Sequence, residues 1–577
     1  MTATENTKLP DKERVEGFPL NNPKAVIVRN RGHLRVVERN YYWDKRGKER
    51  RTYLGYVVDN VYYDNEQYRA AFTKFGKPRL TMTAAAVVGC LPVLTHRRAA
   101  EIPLYYAVAD SLGLIEDLAR TWGKIDAAAI LSVAFHWLNT AENSASLFAS
   151  WCEGWVLPYP HVIKSKEMGE FLAALANTPE WEKLFFGARI ARLPDSEVLS
   201  FDSTDIATAA VNTEYSQPGV GSSGYQKQLG LIVLLGHQTG MPVLFRIIPG
   251  QITDVSTVQD MLVRFDEIGN RRVFAAVLDR GYFSLKNIAD FSDQGSRVVI
   301  AAKTGTVWVR DVIEKTMPCM WCSSTHLKGC HGWGATVKVQ PQFDDGVKRD
   351  VWVHVFRSEK KSYNEDEGFF EDLDEFESEW NNWRKPAGSD RECPLLKSPL
   401  LKKYYLQPCG TPGVTELRRN HEAIDRDTRY FGFYASVTTM ECEAQQAKES
   451  YSNRDLIEKC FKAGKTDLNM STVRSHSTST IEGRFIVSFV ALSILCEIRR
   501  RMSQRTRVAS ARGAREVRPL ADEMSFAELK NYMGSIQAVY DGNGKGRWLE
   551  ITNRQHDIAR RLGFDGLYKS FPEWMNR

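Results

Sequence analysis

Three carboxylates and a spaced set of polar residues could carry chemistry in this chain. Asp202 and Asp279 end two apolar runs, Val198-Leu199-Ser200-Phe201-Asp202 and Val273-Phe274-Ala275-Ala276-Val277-Leu278-Asp279. A carboxylate at the mouth of a buried strand is costly to desolvate unless it meets a cation. Glu458 lies further on, in a segment that also holds Tyr451, Arg454 and Lys465. At about 100° per helical residue, these four fall within an arc of roughly 60°. An acid, two cations and a phenol then face one cleft, the composition expected for magnesium-dependent phosphodiester chemistry.

The elements that must position these groups are readable around them. After the run ending at Asp202 come Leu229–Leu235 and Val243–Ile248, joined at His237–Met241 by a hairpin turn containing Gly240. A helical stretch, Ser256–Ile268, leads to the run ending at Asp279, and Val298–Ala302 is a further strand. Strand, hairpin strands, helix and strand, with acids closing the first and fourth strands, is the order of a ribonuclease-H-like core. The third acid of such a core sits on a later helix. Glu458 supplies it, so residues of about 304–430 read as an insertion with β patterns at Ala335–Val339 and Val351–Phe356. Asp205 is the competing acid beside Asp202. A turn or helix-cap role is the alternative for either aspartate, and a solvent-facing pair with Lys462 is the alternative for Glu458.

The rest of the chain sets limits. With 577 residues it exceeds one compact core. Hydrophobic content of 43% and charged content of 26% are ordinary for a globular protein. A net charge of +6 is too small to argue for nucleic acid by itself. The N-terminus is polar and charged from Thr2 to Glu16, and the longest apolar run, Phe485–Ile498, is shorter than a bilayer span. It reads as a buried helix. Ten scattered cysteines fit a reducing cytoplasm better than a disulfide scaffold. The expected organisation is an N-terminal β-containing, DNA-binding candidate over 1–80 and a helical domain over 81–193. The core follows in two parts, 194–303 and 431–518, around the insertion at 304–430, with a C-terminal helical region over 519–577.

Three tracts keep two readings each. Tyr41-Tyr42-Trp43-Asp44-Lys45-Arg46 through Arg51 is a basic hairpin tip beside aromatics, suited to nucleic-acid contact or to a solvated hairpin. The arginine-rich stretch Arg499–Arg518 is a DNA-binding surface or a solvated helix face. Cys319, Cys322, His326 and Cys330 are either a structural zinc set closing a loop or reduced cysteines of the insertion.

The spacing Tyr-x2-Arg-x3-Glu-x6-Lys at Tyr451, Arg454, Glu458 and Lys465 resembles the signature of prokaryotic insertion-sequence transposases of the DDE type. Phe201-Asp202-Ser203-Thr204, Leu278-Asp279-Arg280-Gly281-Tyr282 and Ser477–Gly483 are similar to further parts of that family; Phe283-Ser284 is a mild departure. The resemblance implies an α/β fold: a ribonuclease-H-like mixed-sheet core with a β-rich insertion, plus N-terminal β-containing and helical domains. It implies a magnesium enzyme, with manganese as substitute, whose ligands are Asp202, Asp279 and Glu458. Tyr451, Arg454 and Lys465 would hold DNA. The partners would be the terminal inverted repeats of an element and a target duplex, bound by a cytoplasmic, nucleoid-associated homodimer. A nuclease without strand transfer and a catalytically inactive DNA-binding derivative are the alternatives.

Overall fold

The computed structural model describes residues 9–30, 33–43, 49–72, 95–141, 144–210, 213–218, 227–250, 252, 254–268, 275–383, 393–406, 412–510, 513–541 and 543–576. The chain divides into two compact units, Met1–Leu94 and Thr95–Arg577.

The first unit is a four-stranded antiparallel sheet made of Ala25–Asn30, His33–Trp43, Glu49–Val58 and Val61–Asp64, followed by the helix Asn65–Ala71. Alternation builds its core: Ala25, Ile27, Val36 and Val57 point to one face and bury Val15 and Phe18 there. Arg35 lies over the rings of Tyr53 and Tyr56 at 5.3 and 5.4 Å. The basic hairpin tip, Asp44–Lys48, lies outside the described residues.

The second unit opens with a short strand, Thr95–Arg98, where the sequence suggested helix. It pairs antiparallel with Gln537–Tyr540, which in turn pairs with Gly546–Trp548. The C-terminal region is therefore mixed rather than helical, because its alternating four-residue run finds a strand partner more than 400 positions away. Helices Ile102–Ser111, Leu114–Thr140, Ser165–Ala176 and Trp181–Ala191 follow.

A ten-stranded sheet dominates this unit. Its principal strands are β1 (Val198–Thr208), β2 (Lys227–Gly236), β3 (Pro242–Pro249), β4 (Ala275–Leu278), β5 (Arg297–Ala302), β6 (Gly332–Val339), β7 (Val351–Ser358) and β8 (Phe433–Thr438). Their order is β6-β7-β8-β5-β4-β1-β2-β3. β1, β2 and β3 are antiparallel neighbours, while β4 and β5 run parallel to β1 and to each other. That 3-2-1-4-5 order is consistent with the ribonuclease-H-like core the sequence implied. The Gly240 turn joins β2 to β3 with φ of 64°, a left-handed position that glycine adopts without strain.

The two long strands of the insertion join the core sheet instead of forming their own. β6 and β7 add to it through β8, which covers the edge of β5, and the short pair Tyr405–Leu406 with Arg418–Arg419 stands apart. The acidic run is the helix Glu359–Asn382, whose Leu373, Phe376 and Trp380 recur at helical spacing and build a second small core with Leu401, Tyr405 and Ile424.

The apolar run Phe485–Ile498 is the centre of the helix Thr478–Met502, buried nearly throughout. Among the described residues, no helix is long and apolar enough to cross a membrane. Gly483 lets this helix approach Ser165–Ala176: a Cβ there would stand 1.8 Å from the Leu172 carbonyl oxygen. A backbone carbonyl inside a helix cannot yield, so Gly483→Ala should destabilise the protein by about 3 kcal/mol, at the top of the overpacking range. A melting curve superimposable on wild type would show that the crossing tolerates a methyl group.

Candidate active site

Sheet register explains why the two aspartates meet. Phe201 of β1 pairs with Leu278 of parallel β4, so the next residues, Asp202 and Asp279, emerge side by side. The strand does not end at Asp202, as its sequence suggested. β1 continues to Thr208 because β2 keeps pairing with it through Ala207↔Gln228, whereas β4 stops at Leu278. Asp202 is thus mid-strand with one flank opened by the end of its neighbour. Asp279 starts the turn Arg280–Tyr282. Asp205, three positions on, falls on the opposite face of the strand from Asp202.

The segment carrying the spaced set is two helices rather than one. Ala444–Ser452 (α1) ends before Asn453, and Asp455–Asp467 (α2) begins with Arg454 as its N-cap. Ser452 and Asn453 compete with the helical backbone for hydrogen bonds: Ser452 Oγ bonds the Lys448 carbonyl, and the Arg454 amide turns back to the Tyr451 carbonyl. Tyr451 therefore enters from the end of one helix and Glu458 from the first turn of the next. Gly464 does not end α2, which runs on to Asp467.

All three acids converge on Arg454. Its Nη2 stands 3.0 Å from Asp202 Oδ2 and 3.3 Å from Asp279 Oδ2, and its Nη1 stands 2.6 Å from Glu458 Oε1. Tyr451 donates its hydroxyl to Asp279 Oδ1 at 3.1 Å. Burial weighs against the charge of Arg454, but Asp202, Asp279, Tyr451 and Glu458 together more than offset it and raise its pKa. Burial, then the charge of Asp279, pushes the Tyr451 phenol up to about 12, so it stays a donor at neutral pH. Glu458 pairs with Arg454 one turn before it rather than with Lys462. Lys465 sits in the last turn of α2, two turns and about 10 Å along the axis from Glu458. No bond among the described residues ties it to the acids.

The donor set fits a hard divalent ion, because carboxylate oxygens are what magnesium and manganese take. As the side chains stand, no three His, Cys, Asp or Glu among the described residues are placed to share one metal ion. At the acids, the guanidinium of Arg454 fills the point on which they converge.

Two sequence readings need correction. Cys319, Cys322, His326 and Cys330 do not assemble as zinc ligands. Short turns aim them apart: Cys319 Sγ donates to the Thr316 carbonyl, Cys322 is exposed, His326 packs edge-on to Trp333, and Cys330 lies against Lys448. The first arginines of the basic tract are not a free helix face. Arg499 pairs with Asp467, and Arg500 and Arg501 both pair with Glu497.

A cavity of about 570 Å³ opens beside Asp279 and Tyr451, with Arg280, Phe356, Tyr434 and Lys448 among its lining residues. These last two were not singled out from the sequence. Lys448 lies one helical turn before Tyr451, a spacing that signals a shared face. Tyr434, on β8, carried no local signal.

The sequence matches the family described as "Transposase DDE domain" over residues 193–494, just over half of the chain. The chain belongs to that family, and the three acids and the elements that carry them all lie inside the matched span. A comparison with curated proteins found no match. One solved structure similar to the chain is described as "Cryo-EM structure of piggyBac transposase synaptic complex with hairpin DNA". It is 9% identical, with a TM-score of 0.35 over 75% of this chain and 78% of that one. So remote a likeness places no residue.

Tyr451→Phe removes only the hydroxyl that orients Asp279. Loss of a group that orients a metal ligand costs about 10–100-fold in metal affinity or activity. Under the magnesium-dependent DNA cleavage proposed below, Tyr451→Phe should lower the rate by about that factor, with a higher magnesium requirement and an unchanged melting temperature. Wild-type rates at limiting magnesium would show that the hydroxyl orients nothing of consequence.

Proposed function

We propose that the protein is a DNA transposase of the prokaryotic insertion-sequence type, which cleaves phosphodiester bonds at the ends of its element and joins the 3′ ends to target DNA. The observation that carries this reading is the convergence of Asp202, Asp279 and Glu458 on one point, within a transposase DDE domain. Those carboxylates would hold magnesium, or manganese in its place. Bound divalent ions would supply activation of the attacking hydroxyl and stabilisation of the leaving oxygen. Arg454, Lys465 and Tyr451 would then hold and orient phosphates of the element's terminus. The aromatic walls of the cavity beside Asp279, among them Phe356 and Tyr434, suit the stacking of a base displaced from the duplex, while its charged lining mixes Arg280, Lys361 and Lys448 with Glu365 and Asp427.

Inverted repeats in the DNA flanking the coding region would identify the substrate. A labelled duplex carrying them should be nicked in Mg²⁺ and then joined to a plasmid target. Nicking without joining would favour a ribonuclease-H-like nuclease. Binding without nicking would favour an inactive DNA-binding derivative. Joining two ends at one target needs two active sites, so the working form is a homodimer on paired ends. Mixing wild-type chains with Glu458→Gln chains should lower double-end joining faster than single-end nicking. Strict proportionality of both to the active fraction would contradict the paired assembly.

A further inference from the structure

We propose that Arg454 is a built-in counter-ion that keeps divalent metal out of the acid site until DNA is bound, and that a phosphate of the DNA releases the site by drawing the guanidinium away. The proposal rests on the transposase reading and adds a regulation of the same site.

One guanidinium bonds all three carboxylates at 3.0, 3.3 and 2.6 Å. A divalent ion shared by the same oxygens would need the space that Arg454 fills, and two cations cannot share it without strong repulsion. The side chain of Arg454 is only 14% exposed, whereas Asp279 is 41% and Glu458 55% exposed. The cation lies as deep as Asp202, also 14% exposed, and beneath Asp279 and Glu458, which solvent reaches. Its Nε is buried and has no hydrogen-bond partner. The carboxylates thus satisfy the two Nη groups and leave a donor that an added phosphate oxygen can take. A guanidinium binds phosphate as readily as carboxylate, through the same planar fork.

The backbone permits the exchange. Arg454 is the N-cap of α2, at the short break after α1, so its side chain can turn while Glu458 stays fixed on the helix. Release would leave three carboxylates without their shared cation, which favours metal at the moment DNA arrives. Linkage requires the converse as well: metal should tighten DNA binding by the same factor by which DNA tightens metal binding. Cleavage would then be withheld from a free protein in a magnesium-rich cell.

The test is Mn²⁺ binding to the full-length protein without DNA, read by isothermal titration and by the loss of the free Mn²⁺ electron paramagnetic resonance signal. Arg454→Gln should bind Mn²⁺ at least tenfold more tightly than wild type. Adding Asp202→Asn to it should abolish the gain, which ties the gain to this site. Arg454→Lys, whose single ammonium cannot bridge three carboxylates, should fall between the two and serves if the glutamine variant fails to fold. Equal or weaker Mn²⁺ binding by a folded Arg454 variant would overturn the proposal. Mg²⁺-dependent nicking by wild type is scored separately, so a failed counter-ion and a failed transposase reading give different results.

Discussion

Asp202→Asn, Asp279→Asn and Glu458→Gln should each lower DNA cleavage by more than about 100-fold, beyond the loss that follows from disturbing a residue that only orients a metal ligand. Each change keeps the shape of the side chain and removes one anionic oxygen donor, so metal affinity falls while the fold persists. Binding to the element end should survive, because cations rather than these acids attract the phosphate backbone. The variants should also differ from one another in the absence of metal. Asp202 is mostly buried, at 14% exposed, and its loss leaves Arg454 short of a partner inside the cleft. Glu458 is 55% exposed, and its pair with Arg454 contributes little to stability in water. A modest fall in melting temperature is thus expected for Asp202→Asn and none for Glu458→Gln. Robust Mg²⁺-dependent cutting by any of the three would remove that residue from the site.

Asp117→Ala should damage the fold outside the core sheet severely. Asp117, on the helix Leu114–Thr140, is 1% exposed and binds Arg189 Nη1 at 2.9 Å and both Nε and Nη2 of Arg192 at 2.8 and 2.7 Å. Arg189 is fully buried, and burial is what most lowers its pKa, with the Asp117 carboxylate holding its charge in place. Removing one partner of a buried pair strands the other, at a cost of about 3–5 kcal/mol. For a unit of this size that corresponds to a fall in melting temperature of about 3–5 °C. Arg192→Ala should cost far less, because that guanidinium is 33% exposed and water replaces its partner. The paired comparison separates loss of a buried counter-ion from loss of a contact. Similar melting temperatures for the two variants would show that Arg189 finds another partner or escapes to solvent.

The acids themselves were legible because each is marked locally. Asp202 and Asp279 follow apolar runs of strand length, and Glu458 carries a spacing of four residue types that chance seldom supplies. Strand order was legible for a similar reason: each run announces itself by its own length and apolarity, and a turn residue such as Gly240 fixes the hairpin. Partners were not legible. Helical periodicity placed Tyr451 and Glu458 on one face of one helix, but the break at Ser452 and Asn453 depends on weak local competition that periodicity does not register. The strands β6 and β7 could be recognised as strands, yet only pairing with β8 makes them part of the core sheet. The pairs of Arg500 and Arg501 with Glu497 follow helical spacing. Arg499, by contrast, looked like part of a cationic surface, because the sequence does not show that Asp467, on another helix, stands opposite it. The same holds at the centre of the site. Arg454 and Asp202 are 252 positions apart, and the bond between them exists because the register of β1 with β4 and the start of α2 bring both to one point. The sequence by itself determined which groups are available and on which elements they ride, since those follow from bonded neighbours and a fixed helical or strand period. The tertiary structure alone decided which charges meet, because buried charges are paired by sheet register and helix packing over distances along the chain that no local pattern encodes.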